Sequence, residues 1–218
     1  MPANNKLYSR IFDDRHDAGK KLAEVLLVQN PQISFVFGLP RGGIVTAYEI
    51  ACAYRVPLHT LIVRKIGSPF NQEFGIGAIA EGGIILLDTE TIRLYNISRQ
   101  NIDLVIGHEK KELLRRKKLY RHKKRFPNIK NKTIVIVDDG VATGYTAYAA
   151  IRAVRKKHPQ SIIFATPVCA VESYAKLQRE ADIVVCLSVV ENLRAIGRQY
   201  RSFPQVTDKT VLKLLFSF

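Results

Sequence analysis

The 218-residue chain has only three cysteines, no apolar run near the roughly 20 residues that cross a bilayer, and far fewer acids than bases, 19 against 34. Each shortage excludes something. Cys52, Cys169 and Cys186 stand singly inside apolar runs, without metal-ligand spacing, so they read as small buried hydrophobes. Neither a disulfide nor a zinc site is expected. Lacking a spanning run, the sequence gives no reason to expect a membrane protein built of helices. Its opening, MPANNKLYSR, lacks the apolar segment of a signal peptide, and a cytoplasmic protein is the expectation. A hydrophobic content of 47% excludes wholesale disorder, and the length suits one domain with an elaboration.

The acid shortage is concentrated in one place. The formal net charge is +15, and residues 110–125 alone hold ten Lys or Arg against one Glu, a local net of +9. Such a block suits nucleic acid, an acidic membrane surface or a polyanionic small substrate, and charge alone does not choose among them. The block closes a long helix expected over 101–124, with Ile102, Ile106, Leu113 and Tyr120 on one narrow apolar stripe. Apart from Tyr120 no aromatic interleaves the cations, and no nucleic-acid-binding motif is present.

What the sequence does have is a stretch that combines a buried strand with anion chemistry. Ile134 to Val137 are four consecutive β-formers, as in a parallel strand covered on both faces. Asp138 and Asp139 follow, then Gly140-Val-Ala142-Thr143-Gly144-Tyr145-Thr146, then a helix from about residue 147. The first turn of a helix presents unpaired N–H groups and the positive end of the macrodipole, and glycine lets backbone approach an anion. A phosphate fits there. The adjacent carboxylates would repel it, so they suit neutral hydroxyls further along the ligand, or a metal ion; a ribose 5-phosphate has both ends. The spacing is not that of a Walker loop, because the glycines enclose three residues and no Lys precedes Thr146.

This stretch resembles the phosphoribosyl pyrophosphate (PRPP) signature of type I phosphoribosyltransferases. The opening FDDRHDAGKKLAEVL and the tail ENLRAIGRQYRSFPQVTDKTVLKLL resemble a group of predicted phosphoribosyltransferases of unassigned substrate. The resemblance implies an α/β fold: about five parallel strands flanked by helices, core about 13–66 and 132–190, flexible loop and hood about 67–131, and a further hood part at 191–218. The five strands expected are 33–37, 58–63, 134–137, 162–167 and 183–190, between helices over 13–28, 44–54, 146–157 and 172–180.

A second glycine turn, Gly38-Leu-Pro-Arg41-Gly42-Gly43, opens the helix at 44 and repeats the anion-cradle logic. By the resemblance Arg41, Gly42 and Gly43 would hold the pyrophosphate of PRPP, on a loop that in the family often contains a non-proline cis peptide. Lys65, and with less weight Arg64, would add cations at the end of strand 58–63. Asp138 and Asp139 would hold the ribose hydroxyls and help hold Mg²⁺, mainly through substrate and water. Gly140, Ala142, Thr143, Gly144, Tyr145 and Thr146 would form the loop around the 5-phosphate. His16 reads as a solvated helix residue without a partner.

Residues 67–83 contain GIGAIA, which matches a dinucleotide fingerprint by letter, but no strand leads into Gly75 and no helix follows. A mobile loop or hairpin that closes over PRPP is the better reading. Ala142 stands where enzymes acting on 6-oxopurines usually carry an Asp for proton exchange, and alanine is neither acid nor base. In the tail, Leu193 lies where an aromatic is common and Gln199 replaces another, which weakens any claim that the tail stacks a nucleobase. The function implied is ribose 5-phosphate transfer from PRPP to an unidentified acceptor, with Mg²⁺ as cofactor. The alternative is a PRPP-responsive regulator or nucleic-acid binder, through residues 110–125, that does not turn over. Homodimers are common in folds of this kind, although no stretch marks an interface.

Overall fold

The structure is a computed structural model and describes residues 12–122 and 125–217. Its first half runs α1 (Arg15–Gln29), β1 (Phe35–Gly38), α2 (Gly42–Tyr54), β2 (Leu58–Thr60), β3 (Val63–Ser68), β4 (Asn71–Ala80) and β5 (Ile84–Leu87). Then come α3 (Thr89–Leu94), α4 (Arg99–Arg121), β6 (Thr133–Val137), α5 (Tyr145–Arg155), β7 (Ser161–Ala170), α6 (Val171–Glu180) and β8 (Ile183–Val190). A short 3₁₀ turn (Ile196–Gln199) and α7 (Asp208–Phe216) complete the chain.

Five strands form a parallel sheet in the order β2-β1-β6-β7-β8. Its strands are apolar on both faces, as a sheet covered by helices on each side requires. Val36, Val135, Val137 and Ile163 face a core completed by Leu22 and Leu26 of α1 and Ile44 and Ile50 of α2. Phe37, Ile134, Ile136 and Phe164 face the opposite layer, with Ala150 and Val154 of α5 and Leu177 of α6. The chain leaves β1 toward β2 on one side and returns to β6 on the other. The strand order therefore reverses between β1 and β6, where open α/β sheets form a ligand crevice beyond the strand ends.

The single strand expected over 58–63 is two. β2 ends at Thr60, and β3 turns away into a separate antiparallel sheet, β3-β4-β5. Arg64 and Lys65 therefore lie within β3 and not at the end of a parallel strand. Of the loop or hairpin expected over residues 67–83 the structure has the hairpin, β3 with β4, and Gly75, expected to have no strand before it, lies inside the ten-residue β4. Its glycines hide the strand from a periodicity search. Gly77 lies so close to the backbone carbonyl of Leu86 that no side chain fits, and a residue without a side chain adds nothing to a period-two pattern.

The three cysteines also divide, since Cys169 is buried and Cys186 half-buried, but Cys52 is exposed on the outer side of α2. His16 has a partner: its Nδ1 lies 2.7 Å from Oε1 of Glu49 on α2.

Helix α4 lays Ile102, Ile106, Leu113 and Tyr120 into the core, as the apolar stripe requires. Much of its charge is paired internally. Glu112 accepts from Arg115 (2.7 Å) and Arg116 (2.8 Å), the Tyr120 hydroxyl donates to Asp208 at the start of α7 (2.6 Å), and Arg121 pairs with the buried Glu81. Lys110, Lys111, Lys117 and Lys118 are exposed; Lys123 and Lys124, the end of the basic block, lie outside the described residues.

Hydrogen bonds from Arg115 and Arg116 pull the Glu112 carboxyl from 4.5 to about 2, and Tyr120 and Arg115 lower that of Asp208. A carboxyl depressed in the folded state adds stability that is complete above its unfolded value and is lost as pH falls through the folded one. Asp208 is the carboxyl that bridges the two helices, so acidification below the ordinary carboxylate range is expected to loosen the α4–α7 seam. Hydrogen exchange should show α7 amides losing protection ahead of β6 and β7, by up to about 1 kcal/mol because the pairs are partly solvated. Equal loss in α7 and the central strands would contradict this.

Candidate active site

The parallel register sets the site. Gly38 pairs with Val137, so the Arg41-Gly42-Gly43 turn and the Asp138-Asp139 turn leave adjacent strands side by side. The contact between them is direct. A Cβ on Gly43 would stand 2.7 Å from the Val137 carbonyl oxygen, and one on Gly42 would stand 2.5 Å from Cγ of Asp139. The two anion cradles expected from sequence are thus one continuous surface. The peptide bond between Pro40 and Arg41 is cis.

Both helices that open from these turns lack a side-chain cap. Neither Arg41 before α2 nor Gly144 before α5 places a side chain on the first-turn N–H groups. Those donors remain for an anion. Gly144 has φ +80°, a left-handed conformation that suits glycine, and its missing Cβ makes room for the Tyr148 ring. The loop between the acids and α5 is tied to β7: Val141 N donates to the Val168 carbonyl and Ala170 N to the Val141 carbonyl, both at 2.9 Å. Thr143 is exposed and Thr146 half-buried. Burial, and then a hydrogen bond to Asp88, raise the pKa of the Tyr145 phenol, which is turned to Asp88.

The acid pair is asymmetric. Asp138 Oδ1 accepts from the backbone N–H of Asp139 (2.9 Å). Burial, and then the charge of Asp139, push the Asp138 carboxyl well above the usual range, with Arg15 opposing. Asp139 Oδ2 instead accepts from Nε of Arg15 at 2.6 Å. Arg15 is 8% exposed, donates from Nη1 to the Pro204 carbonyl (2.8 Å), and lies 3.6 Å from the ring centroid of Phe203. Tyr200 adds a hydrogen bond from its hydroxyl to the Asp139 carbonyl (2.6 Å). Sequence reasoning missed Arg15. It sits in the first turn of α1, where an arginine ordinarily reads as solvated, and its partner is 124 positions away.

The Arg41 backbone opens α2 beside the Asp138-Asp139 turn, and its Nη1 lies 3.9 Å from Oδ1 of Asp208 at the start of α7. The structure does not bring Arg64 and Lys65 into this cluster. Arg64 is paired with Glu109 of α4 (2.7 Å), and both line a cavity of about 470 Å³ with Gln72, Leu104 and His108, not with either glycine turn. Another cavity, of about 490 Å³, does adjoin the loop before α5. It is lined by Ala142 and Thr143, by Glu172 at the start of α6, and by Asn192, Leu193 and Arg194 after β8.

Among the described residues no three His, Cys, Asp or Glu side chains form a metal cluster. The donor set is two carboxylates, one of them half-committed to Arg15. That fits magnesium held mostly by substrate oxygens and water, with at most one or two protein carboxylates.

Comparison with known proteins shows the family to which the chain belongs. The family profile described as "Phosphoribosyl transferase domain" matches residues 8–201. Two proteins of Mycobacterium tuberculosis, each named "Putative phosphoribosyl transferase" (Rv0571c and MT0597), are 37% identical over 206 residues. The match covers 94% of this chain and 46% of theirs, so the chain spans about half the length of these curated relatives. The crystal structure of TT1426 from Thermus thermophilus is similar at 36% identity, with a TM-score of 0.77 over 95% of this chain and 98% of that one. A hypothetical protein from Neisseria gonorrhoeae, solved with bound ppGpp, has a TM-score of 0.53 at 12% identity over 95% and 96% of the two chains, a likeness of fold alone.

Proposed function

We propose, from the premise that the chain belongs to the phosphoribosyl transferase domain family, that it transfers ribose 5-phosphate from PRPP to a nucleophile and releases pyrophosphate. The observation that carries this reading is the junction of two uncapped, glycine-opened helix N-termini with Asp138 and Asp139 at the point where the strand order reverses. One donor molecule has the matching parts in the matching order: a 5-phosphate, two ring hydroxyls and a pyrophosphate.

In this reading the N–H groups of α5, Gly144 and the hydroxyls of Thr143 and Thr146 hold the 5-phosphate, and Gly140 and Ala142 shape the loop. Asp138 and Asp139 hold the 2- and 3-hydroxyls. Arg41 and the N–H groups of α2 balance the leaving pyrophosphate. Lys65 and Arg64 would add charge to it when the β3–β4 hairpin closes and excludes water. As the nucleophile approaches C1 and the bond to pyrophosphate lengthens, positive charge grows on the ring. The carboxylates beside it stabilise that charge without forming a covalent bond. Bound magnesium would supply neutralisation of the pyrophosphate oxygens.

The test is pyrophosphate release from PRPP and Mg²⁺ across a panel of bases and amines. Release that requires one acceptor is expected, and Asp139→Asn should lower it by about two orders of magnitude or more. PRPP binding without release from any acceptor would instead favour a regulator on the same fold. One observation supports that second reading: the exposed Lys110, Lys111, Lys117 and Lys118 on one helix, an arrangement suited to a polyanion such as nucleic acid.

A further inference from the structure

At the outer edge of the parallel sheet, apart from both glycine turns, lies a further cavity of about 400 Å³. β2 is the last strand there, and its register leaves one side open. Val36 N donates to the Pro57 carbonyl and Leu61 N to the Gly38 carbonyl, both at 3.1 Å, so the backbone groups of Leu58 and Thr60 point away from β1. Arg121 takes the Thr60 carbonyl (3.1 Å). The N–H groups of Leu58 and Thr60 and the Leu58 carbonyl have no partner among the described residues, although the two residues are only 5% and 3% exposed. Backbone groups so enclosed ordinarily find one.

The cavity beside this edge is cationic. Arg55, Arg121 and Arg125 line it, and among the described residues no Asp or Glu does. Arg121, its side chain 12% exposed, engages Thr60 and Glu81 through Nη2 alone and leaves Nε and Nη1 uncommitted among the described residues. Its guanidinium is held over the Phe126 ring, 5.0 Å from the centroid. Arg55 and Arg125 are exposed, and among the described residues no hydrogen bond or ion pair engages either side chain. Arg55 also has a left-handed backbone (φ 53°) at the end of α2. The other described non-glycine residues with positive φ are all Asn or His, types that tolerate it, so an arginine there is the exception.

We propose that this cavity is a second ligand site, separate from the crevice, for a small organic dianion: a phosphate monoester or a dicarboxylate. Arg55 and Arg125 have no counter-charge, and their guanidinium forks match either head group. A cation is repelled there, and a neutral ligand leaves both charges unanswered. Val56, Pro57 and Phe216 add apolar wall, and the open edge at Leu58 and Thr60 suits an amide or hydroxyl on the ligand's body. The volume lies within the roughly 300–1,000 Å³ of small-molecule sites. An extended peptide fits less well, because Arg121 closes the edge at Thr60 and a strand paired with β2 would stop there. None of the lining residues belongs to either glycine turn, so the inference stands independently of phosphoribosyl transfer.

The test follows backbone amide shifts of the full chain by NMR with four probes: phenyl phosphate and isophthalate as dianions, benzoate with one charge and benzyl alcohol with none. At least one dianion should shift the Leu58 and Thr60 amides. Benzoate should bind about tenfold more weakly, one charged hydrogen bond fewer, and benzyl alcohol more weakly still. Arg55→Asn keeps a residue suited to the left-handed turn, and Arg125→Met removes an exposed, unpaired cation. Each should weaken the dianion about tenfold with Tm unchanged. Benzoate binding as tightly as the dianions, affinity unchanged in both variants, or shifts confined to the amides of the two glycine turns would overturn the proposal. So would a single-stranded oligonucleotide that shifts the Leu58 and Thr60 amides at lower concentration than either dianion, because the cavity would then belong to a nucleic-acid surface.

Discussion

Arg15→Gln is expected to lose stability and PRPP binding together. Arg15 and Asp139 have side chains only 9% and 15% exposed, and their ion pair is 2.6 Å long. Removing one member of such a pair leaves the other charge buried without compensation, a loss of about 3–5 kcal/mol. In a chain of this size each kcal/mol lowers Tm by about 2–4 °C, so calorimetry should record a fall of about 10 °C. Binding should suffer further, because Arg15 also holds the Asp139 carboxylate in place. With Oδ2 taken by Arg15, Oδ1 is the oxygen left for a sugar hydroxyl in the proposed donor site.

The second variant separates these effects. In Arg15→Gln/Asp139→Asn the buried charge is gone, so stability should partly return, whereas PRPP affinity should not. Full recovery of binding in the double variant, or a Tm unchanged in Arg15→Gln, would show that the pair does not organise the site. The measurement also bears on the C-terminal segment. Phe203 packs against the guanidinium and the Pro204 carbonyl accepts from it, so truncation before Phe203 should reproduce part of the Arg15→Gln loss.

The legibility of this molecule from sequence follows the range of the interactions involved. Ile134 to Thr146 can be read because strand, acids, glycines and helix start are contiguous, and each has local physics. The partnership of Arg41-Gly42-Gly43 with Asp138-Asp139 can be anticipated once both turns are assigned to one sheet edge. Arg15 cannot, since its role is created by α1 packing on α2 and by a tail some 190 residues later. Lys65 escapes correct placement for a related reason: β2 and β3 are one apolar run in sequence, and only antiparallel pairing with β4 shows that the chain has changed sheets. His16 shows the same limit, its partner Glu49 lying on the next helix.

Gly42→Ala should damage the site from the opposite side of the crevice. The added Cβ would fall 2.5 Å from Cγ of Asp139 and 2.8 Å from Nε of Arg15, against groups locked by their own ion pair. Overpacking alone costs about 1–3 kcal/mol, and here the relief routes are themselves damaging. Either Asp139 is pushed off Arg15, or the start of α2 moves away and carries Arg41 with it. Both routes would separate the proposed ribose half of the site from the proposed pyrophosphate half, so a loss of PRPP affinity of about 100-fold is expected, with a lower Tm. Gly107→Ala is the matched control. It lies within α4 with open space around it, and should be neutral or stabilising by up to about 1 kcal/mol. The informative comparison is Gly42→Ala combined with Arg15→Gln. If the methyl acts by displacing Asp139 from Arg15, the two losses overlap and their sum overestimates the double variant by about 1 kcal/mol or more. Strict additivity would mean that Gly42 serves the α2 N-terminus alone, and that the two glycine turns meet without being mechanically joined.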